Sequence, residues 1–273
     1  MLRDITLGQY FTGESVLHRA DPRTSILLSI IYIVAVFFAR SAPAYAFILL
    51  LSLVLVIVSR IPVKTVLRGI RPLLIIMLIT AVLNVFWHSG EDMLFSFWKI
   101  TVYKEGVIAA VYMLVRIFAL IVGTSVILSY TTSPLALADG LERLLSPLKL
   151  IKLPVHEFSM MMTIAMRFIP TLIDETDKIT AAQKSRGADL STGGLIKRAK
   201  ALIPILIPLF ISSFRRADEL ATAMECRCYR GGKGRTRMKE LHMHALDFLL
   251  LAAFAVILAG VILISRFLPY YVV

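Results

Sequence analysis

The sequence has few charged residues, and it contains long stretches with almost none. Only 18% of its 273 residues are charged, whereas 58% are hydrophobic, and an ordinary soluble domain is only about 45–50% apolar. Apolar runs of about 20 residues are long enough to cross a bilayer as helices. Several runs approach or exceed that length, namely residues 25–39, 45–58, 72–87, 106–130 and 245–264. We predict an all-α, polytopic membrane protein with about five transmembrane helices.

Motifs for nucleotide binding and hydrolysis are also lacking. The segment Gly232-Lys233-Gly234-Arg235-Thr236 does not have the upstream spacing of a phosphate-binding loop. Neither His-Glu-x-x-His nor Gly-x-Ser-x-Gly occurs, and no cluster of carboxylates or histidines stands out beside an apolar run. We therefore predict that the chain is not an enzyme, and that any ATP is handled by a partner.

Cysteine is scarce, since the only two are Cys226 and Cys228. A zinc site needs about four ligands, and His242 and His244 follow only some distance along the chain. We predict no metal site here, although the Cys-x-Cys spacing leaves that alternative open. The cytoplasmic location argued below should keep both thiols reduced.

Acidic residues are outnumbered by basic ones, which leaves a formal net charge of +12. In a soluble protein this charge would suggest a nucleic-acid partner. Here the cations flank apolar runs and few aromatic residues are interleaved with them. We therefore predict no nucleic-acid binding, but the basic cytoplasmic loops of a protein in a lipid bilayer.

The distribution of these cations predicts the orientation in the cell membrane. Residues 131–244 hold 18 Lys and Arg against 11 Asp and Glu, and residues 60–71 have no acid, whereas residues 88–104 are nearly neutral. With a cytoplasmic N-terminus, both basic segments lie inside and the C-terminus lies outside, as the positive-inside rule requires. We expect no signal peptide, because residues 1–24 are polar and hold no apolar core.

We predict three parts for the chain. Residues 1–130 form an N-terminal membrane domain with about four spans, residues 131–244 a cytoplasmic domain, and residues 245–273 a C-terminal transmembrane helix. The cytoplasmic domain should contain about three long amphipathic helices, because its apolar residues recur at helical spacing. We place these helices at residues 134–150, 154–186 and 194–229.

The second and third of these helices end alike. The second ends in Ser185-Arg186-Gly187 and the third in Cys226-Arg227-Cys228, so that each arginine stands between small residues. A cation at a helix C-terminus stabilises the helix by about 0.3–1 kcal/mol, and that structural role would explain either arginine alone. The recurrence favours another interpretation, in which the small neighbours allow close approach and the guanidinium offers fixed donors to a partner.

Several motifs together resemble the transmembrane T component of energy-coupling factor (ECF) transporters, the EcfT and CbiQ-like proteins. Besides the two arginine motifs, which match the two X-Arg-X motifs of the family, they are His18-Arg19-Ala20-Asp21-Pro22-Arg23-Thr24, Thr131-Thr132-Ser133-Pro134, Met166-Arg167-Phe168-Ile169-Pro170, Asp174-Glu175, Ala223-Met224-Glu225 and Tyr229-Arg230-Gly231-Gly232. The second arginine motif departs from the family pattern, because Cys stands where Ala or Gly is usual. Since Cys228 lacks the backbone freedom of glycine, we expect that helix end to differ slightly.

The resemblance implies a noncatalytic coupling subunit of a prokaryotic ABC-type importer. It implies that Arg186 and Arg227 contact two ABC-type ATPase subunits. It also implies a small membrane S component, one of several exchangeable ones, that captures a vitamin or related micronutrient. The chain itself would hold no cofactor, because ATP and magnesium bind to the ATPase subunits.

Arg116 is the one charge in the fourth apolar run. A charge inside a membrane suggests a function, but a structural pair or a position near the interface would also explain it, and both interpretations stay open. A stand-alone secondary transporter remains the alternative function. It would be expected to have paired broken helices and several intramembrane polar residues, and we find mainly Arg116 and Asn84.

Overall fold

The computed structural model describes residues 10–11, 13–87, 93–97, 100–147, 154–188, 194–231 and 241–267. In chain order, its elements are α1 Pro22–Phe38, α2 Ala42–Ser59, α3 Val63–Ile70, a 3₁₀ turn Arg71–Leu73, α4 Leu74–Trp87, β1 Met93–Phe97, β2 Ile100–Tyr103, α5 Lys104–Thr124, a π-helix Ser125–Tyr130, α6 Pro134–Leu144, α7 Val155–Ser185, α8 Leu195–Cys226 and α9 Ala245–Phe267. The all-α prediction is confirmed, with one addition. The strands β1 and β2 pair as a short antiparallel hairpin, with Phe97 opposite Ile100.

The apolar helices match the predicted runs. Four helical stretches are long and apolar enough to cross a membrane, namely Ala42–Ser59, Val63–Trp87, Lys104–Tyr130 and Ala245–Phe267, and the apolar α1 is slightly shorter at 17 residues. Pro22 lies in the first turn of α1, where its missing N–H has no helical partner to lose, and the Asp21 side chain accepts a hydrogen bond from the Arg23 amide.

The described residues form two compact units. The first, here called the coupling unit, holds Leu145–Glu240, and the second, the membrane unit, holds Gly8–Leu144 and Leu241–Val273. The chain therefore passes between units after residue 144, whereas the predicted domain boundary followed residue 130. The difference is α6, which packs against α1 in the membrane unit. Gly140 permits this approach, since a Cβ there would lie 2.9 Å from Cβ of Pro22.

The helical bounds within the predicted cytoplasmic domain follow from local sequence. Prediction placed the helices at residues 134–150, 154–186 and 194–229, and the structure has α6, α7 and α8 at closely similar positions. Residues 148–150 of the first prediction and the basic segment 233–239 lie outside the described residues. Three prolines lie inside these helices, Pro170 in α7 and Pro204 and Pro208 in α8.

Two contacts show that α1 and α9 run side by side in the same direction. At their N-terminal ends, the Asp21 amide donates to Oδ1 of Asp247 at 2.8 Å, and beyond the end of α1 the Arg40 amide donates to Oγ of Ser265 at 3.3 Å. Asp247 is 1% exposed, and its other oxygen accepts the His244 amide at 2.8 Å. Two backbone donors thus offset the cost of burying this carboxylate.

The core of the membrane unit centres on Tyr32 of α1. Its hydroxyl donates to the Ala119 carbonyl oxygen at 2.9 Å and lies 2.8 Å from Oγ of Ser52, which itself donates to the Ile48 carbonyl. These bonds join α1, α2 and α5 through one buried phenol. Helices in lipid associate through close packing and hydrogen bonds rather than through the hydrophobic effect, so this arrangement depends on the small residue that faces the ring, Gly123.

We predict that Gly123→Ala destabilises the membrane unit. A Cβ at this position would lie 2.5 Å from Oη of Tyr32 and closer still to the ring carbons. Overpacking of this kind costs about 1–3 kcal/mol, which should lower the melting temperature of the purified chain in detergent by several degrees. Gly260→Ala in α9 is the matched control, because nothing lies within 4 Å of its Cβ position. Equal melting temperatures for the two variants would contradict the packing described here.

Candidate functional site

The coupling unit is built on an antiparallel pair of long helices, α7 and α8. Pro208 has no N–H, so the Pro204 carbonyl one turn earlier has no partner within α8. Nε2 of Gln183, near the end of α7, donates to that carbonyl at 3.2 Å. Further along, a guanidinium nitrogen of Arg216 lies 3.3 Å from Oε2 of Glu175. Since the contacts pair later residues of α8 with earlier residues of α7, the two helices run in opposite directions.

A third contact region extends the pairing to the other end. Met160, in the second turn of α7, and residues at the end of α8 and just beyond it line one cavity of about 520 Å³; these residues are Met224, Arg227, Cys228, Tyr229, Arg230 and Gly231. The start of α7 therefore lies beside the end of α8. Arg186 and Arg227 consequently lie at opposite ends of the pair, separated by roughly 45 Å, the length of a helix of this size.

The two helix ends have the same backbone geometry. After α7, the Gly187 amide donates to the Lys184 carbonyl and the Ala188 amide to the Gln183 carbonyl, both at 3.0 Å. After α8, the Cys228 amide donates to the Glu225 carbonyl at 2.8 Å and the Tyr229 amide to the Met224 carbonyl at 3.0 Å. Both patterns are the Schellman motif, in which the residue after the cap takes a left-handed conformation.

The left-handed residues are Gly187, with φ of +87°, and Cys228, with φ of +55°. Glycine takes this conformation without strain, whereas a residue with a side chain pays about 1–2 kcal/mol. Cys228 therefore reaches the same hydrogen-bonded cap as the glycine, but with backbone strain. The end of α8 therefore differs from the end of α7 in the conformational energy of its backbone, and the two ends have the same hydrogen bonds.

Each cap exposes its arginine. Arg186 and Arg227 are the C-cap residues of α7 and α8, and both are exposed, as are Ser185, Gly187 and both cysteines. Neither arginine forms an ion pair with any residue that the structure describes. Both guanidinium groups can therefore offer their donors to a partner surface, and the small neighbours leave room for that surface to approach.

The cysteines beside Arg227 are free thiols. In the described part of the chain, no three His, Cys, Asp or Glu side chains come together as a group that could hold a metal ion. The chemistry available at the two caps is therefore the hydrogen-bond donors and the positive charge of Arg186 and Arg227.

Arg116 lies in the other unit and has a local partner. Its Nε donates to the Tyr45 hydroxyl at 2.9 Å, and a second nitrogen of the guanidinium donates to the same oxygen. Its charge also lies 5.7 Å from the centre of the Tyr45 ring, which stacks on Tyr112. The ring and the hydroxyl together stabilise a cation inside an apolar helix. Sequence reasoning found Arg116 but not Tyr45, which is 71 positions away and carries no charge as a signal.

Comparisons with known proteins agree on one group. Residues 13–238 match CbiQ, described as a cobalt transport protein. The energy-coupling factor transporter transmembrane protein EcfT of Clostridium kluyveri is 53% identical over 97% of this chain and 98% of its own. The proteins of the same name from Ruminiclostridium cellulolyticum and Lactococcus lactis are 52% and 45% identical over 97% of this chain, and over 98% and 99% of their own lengths.

We predict that the two caps respond in opposite ways to substitution. Cys228→Gly removes left-handed strain and should slow hydrogen exchange at the Tyr229 amide by about tenfold, whereas Gly187→Ala should accelerate exchange at the Ala188 amide by a similar factor. Amide exchange of the purified chain, followed by mass spectrometry, measures both. Gly194→Ala is the control, since Gly194 has φ of −68° and open space around its Cβ position. Unchanged exchange in Cys228→Gly would contradict a strained cap.

Proposed function

The chain belongs to the CbiQ family and is a transmembrane component of the energy-coupling factor transporter type, and from this premise we propose that it is the noncatalytic coupling subunit of an ATP-driven importer. The observation that carries the proposal is that both helices end in an exposed arginine cap, and that the two caps lie at opposite ends of the antiparallel pair. Because the two caps share the same backbone geometry and each exposes an arginine, they can bind two similar partner subunits. We propose that these partners are two ABC-type ATPase subunits, each of which receives one arginine.

The chemistry of the caps supports contact with a protein groove. An arginine guanidinium presents five donors in a rigid plane and matches carboxylates or carbonyls well. Each arginine stands at the carboxyl end of a helix of more than 30 residues, so a groove that holds the cap also holds the helix. ATP and magnesium would be bound by the ATPase subunits, and this chain would need no cofactor of its own.

The pairing of α7 and α8 offers a way to transmit movement. When ATP closes the two ATPase subunits, the ends of the helices move with them, and the contacts Gln183–Pro204 and Glu175–Arg216 transfer that movement between the helices. The surface pair Glu175–Arg216 is worth only about 0–1 kcal/mol. It can therefore give way as the helices shift, provided that ATP favours one arrangement over the other.

A large apolar surface on α8 supports a membrane partner. Phe210 and Phe214 are 66% and 63% exposed, and their rings meet edge to face at 5.0 Å. Leu206, Ile207 and Ile211 are more than half exposed on the same stretch. An apolar patch of this kind marks a site for a protein or for a membrane. We propose that a small S component, one of several exchangeable ones, binds here and carries the vitamin or related micronutrient.

The proposed location is the prokaryotic cell membrane, with the N-terminus and the coupling unit in the cytoplasm and the C-terminus outside. The connectivity of the membrane unit supports this arrangement. Its basic segment 60–71, the end of α5 and the start of α9 all lie at one end, as the positive-inside rule requires of cytoplasmic segments.

We predict that Arg186→Glu and Arg227→Glu each abolish ATP-dependent uptake, because a reversed charge in the groove replaces donors with acceptors. Uptake is measured in proteoliposomes that contain the whole complex, and ATPase binding is measured by co-purification. Arg215→Glu is the matched control, since Arg215 is also an exposed arginine on α8 but stands away from the cap. Each cap variant should lose ATPase subunits while it retains the S component.

Phe210→Ser provides the reciprocal variant in the same experiment. It should retain both ATPase subunits and lose the S component, because it removes an aromatic anchor from the apolar surface. Normal uptake by both arginine variants would refute the proposed contacts. Uptake by the purified chain alone, without ATPase subunits, would instead favour a secondary transporter.

A further inference from the structure

One sequence motif, residues 18–24, has no part in the contacts proposed above. It ends in the first turn of α1, where charged side chains are packed out of water. Asp21 is 6% exposed, the side chain of Arg23 is 18% exposed, and Asp247 of α9, which accepts the Asp21 amide, is 1% exposed. Charged groups are almost never buried this far unless they are paired. The partners of these groups therefore indicate which elements the motif holds in place.

Arg23 links the start of α1 to the segment that precedes α9. Its Nε donates to Oδ1 of Asp21 at 3.2 Å, and a terminal nitrogen of its guanidinium donates to the Leu241 carbonyl at 2.5 Å. Beside this link, Asp247 accepts the backbone amides of Asp21 and His244, both at 2.8 Å. The planar guanidinium has several donors in a fixed geometry. It therefore holds the cap of α1 and the backbone before α9 in one arrangement.

The same turn of α1 also holds α6. A Cβ added to Gly140 would lie 2.9 Å from Cβ of Pro22, 3.1 Å from the carbonyl carbon of Pro22 and 3.2 Å from the backbone nitrogen of Arg23. The backbone of α6 therefore packs directly against the first turn of α1, with no side chain of Gly140 between them. Small residues permit such close approach of two helices, and packing this dense transmits a displacement of one helix to the other.

Both elements that contact this turn adjoin the coupling unit in the chain. α6 ends at Leu144, after which the chain enters the coupling unit, and at Leu241 the chain returns to the membrane unit. A displacement of the coupling unit therefore acts along the chain on these two positions. Between them, Pro22 and Arg23 contact α6 and Leu241. The first turn of α1 can thus receive the displacement and pass it to α5 and α9, against which α1 packs.

We propose that Arg23 is a positioning residue for coupling, which makes the start of α1, α6 and the segment before α9 move together when the coupling unit is displaced. The inference rests on the proposed function, because it assigns a route to movement that the ATPase subunits drive. Without the hydrogen bonds of Arg23, the backbone at Leu241 moves and α1 does not follow. ATP is then hydrolysed without uptake.

Hydrogen exchange of the purified full-length chain tests the link itself. Arg23→Gln should accelerate exchange at the His244 amide by about tenfold, because the segment before α9 loses a charge-assisted hydrogen bond. Gly140→Ala should accelerate exchange at the same amide, because its Cβ displaces the first turn of α1. Arg19→Gln is the matched control, since Arg19 lies in the same motif but forms only an exposed ion pair, at 3.8 Å from Glu14. An effect of Gly140→Ala that is confined to α6 would overturn the proposal.

Uptake per ATP hydrolysed, measured in proteoliposomes that contain the whole complex, tests the role in coupling. Arg23→Gln should retain both ATPase subunits, the S component and ATP hydrolysis, and should lower uptake per ATP by about tenfold. Arg23→Lys should recover part of the loss, because an ammonium group can still donate to the Leu241 carbonyl. Gly140→Ala should lower the same ratio although it retains every donor of Arg23, and Arg19→Gln should leave it unchanged.

Unchanged uptake per ATP in Arg23→Gln would overturn the proposal. If Arg23→Gln fails to assemble, Gly140→Ala decides, and loss of subunits from both variants would show a role in folding alone and would also overturn it. Arg186→Glu in the same proteoliposomes separates the coupling function from the positioning role. If Arg186→Glu transports normally, the proposed function fails. If it blocks uptake and Arg23→Gln does not, only the positioning role fails.

Discussion

The antiparallel pairing of α7 and α8 is the constraint on which the functional arrangement depends. Because the helices run in opposite directions, their carboxyl ends, and with them Arg186 and Arg227, face away from each other. Proline contributes directly to this pairing, since Pro208 leaves the Pro204 carbonyl free for Gln183 of the neighbouring helix. A parallel pair with the same sequences would bring both cations to one end.

The membrane unit follows a different principle. Lipid provides no hydrophobic force that brings helices together, so contact depends on small residues and buried hydrogen bonds. Gly123 admits the Tyr32 ring, and Gly140 admits the backbone at Pro22. The charge of Arg116 is stabilised by Tyr45. The polar groups in the middle of this unit therefore hold helices together.

Hydropathy and helical spacing predicted much of the fold from sequence, because span length and proline positions are local properties. The partner of a residue is not local. No residue near Arg116 in the sequence indicates that Tyr45 is its hydrogen-bond partner. Likewise, no residue near Gln183 indicates that it bonds to a carbonyl of α8. Two prolines four residues apart do predict that α8 contains a carbonyl without a helical partner. The hairpin β1–β2 lies in a mixed segment that was interpreted only by its charge. The amphipathic pattern of α6 likewise cannot show which unit it packs against. The two arginine motifs are visible in the sequence, but their shared cap geometry is not, because a cysteine in a left-handed conformation has no sequence signal.

The distance between the two caps tests the account most directly. With Cys226 and Cys228 replaced by serine, spin labels can be attached at Lys184→Cys and Arg230→Cys and their separation measured by pulsed electron paramagnetic resonance. An antiparallel pair predicts a separation of roughly 45 Å, the length of one of these helices. A separation below about 22 Å, half of that length, would contradict an antiparallel pair with its two arginines at opposite ends.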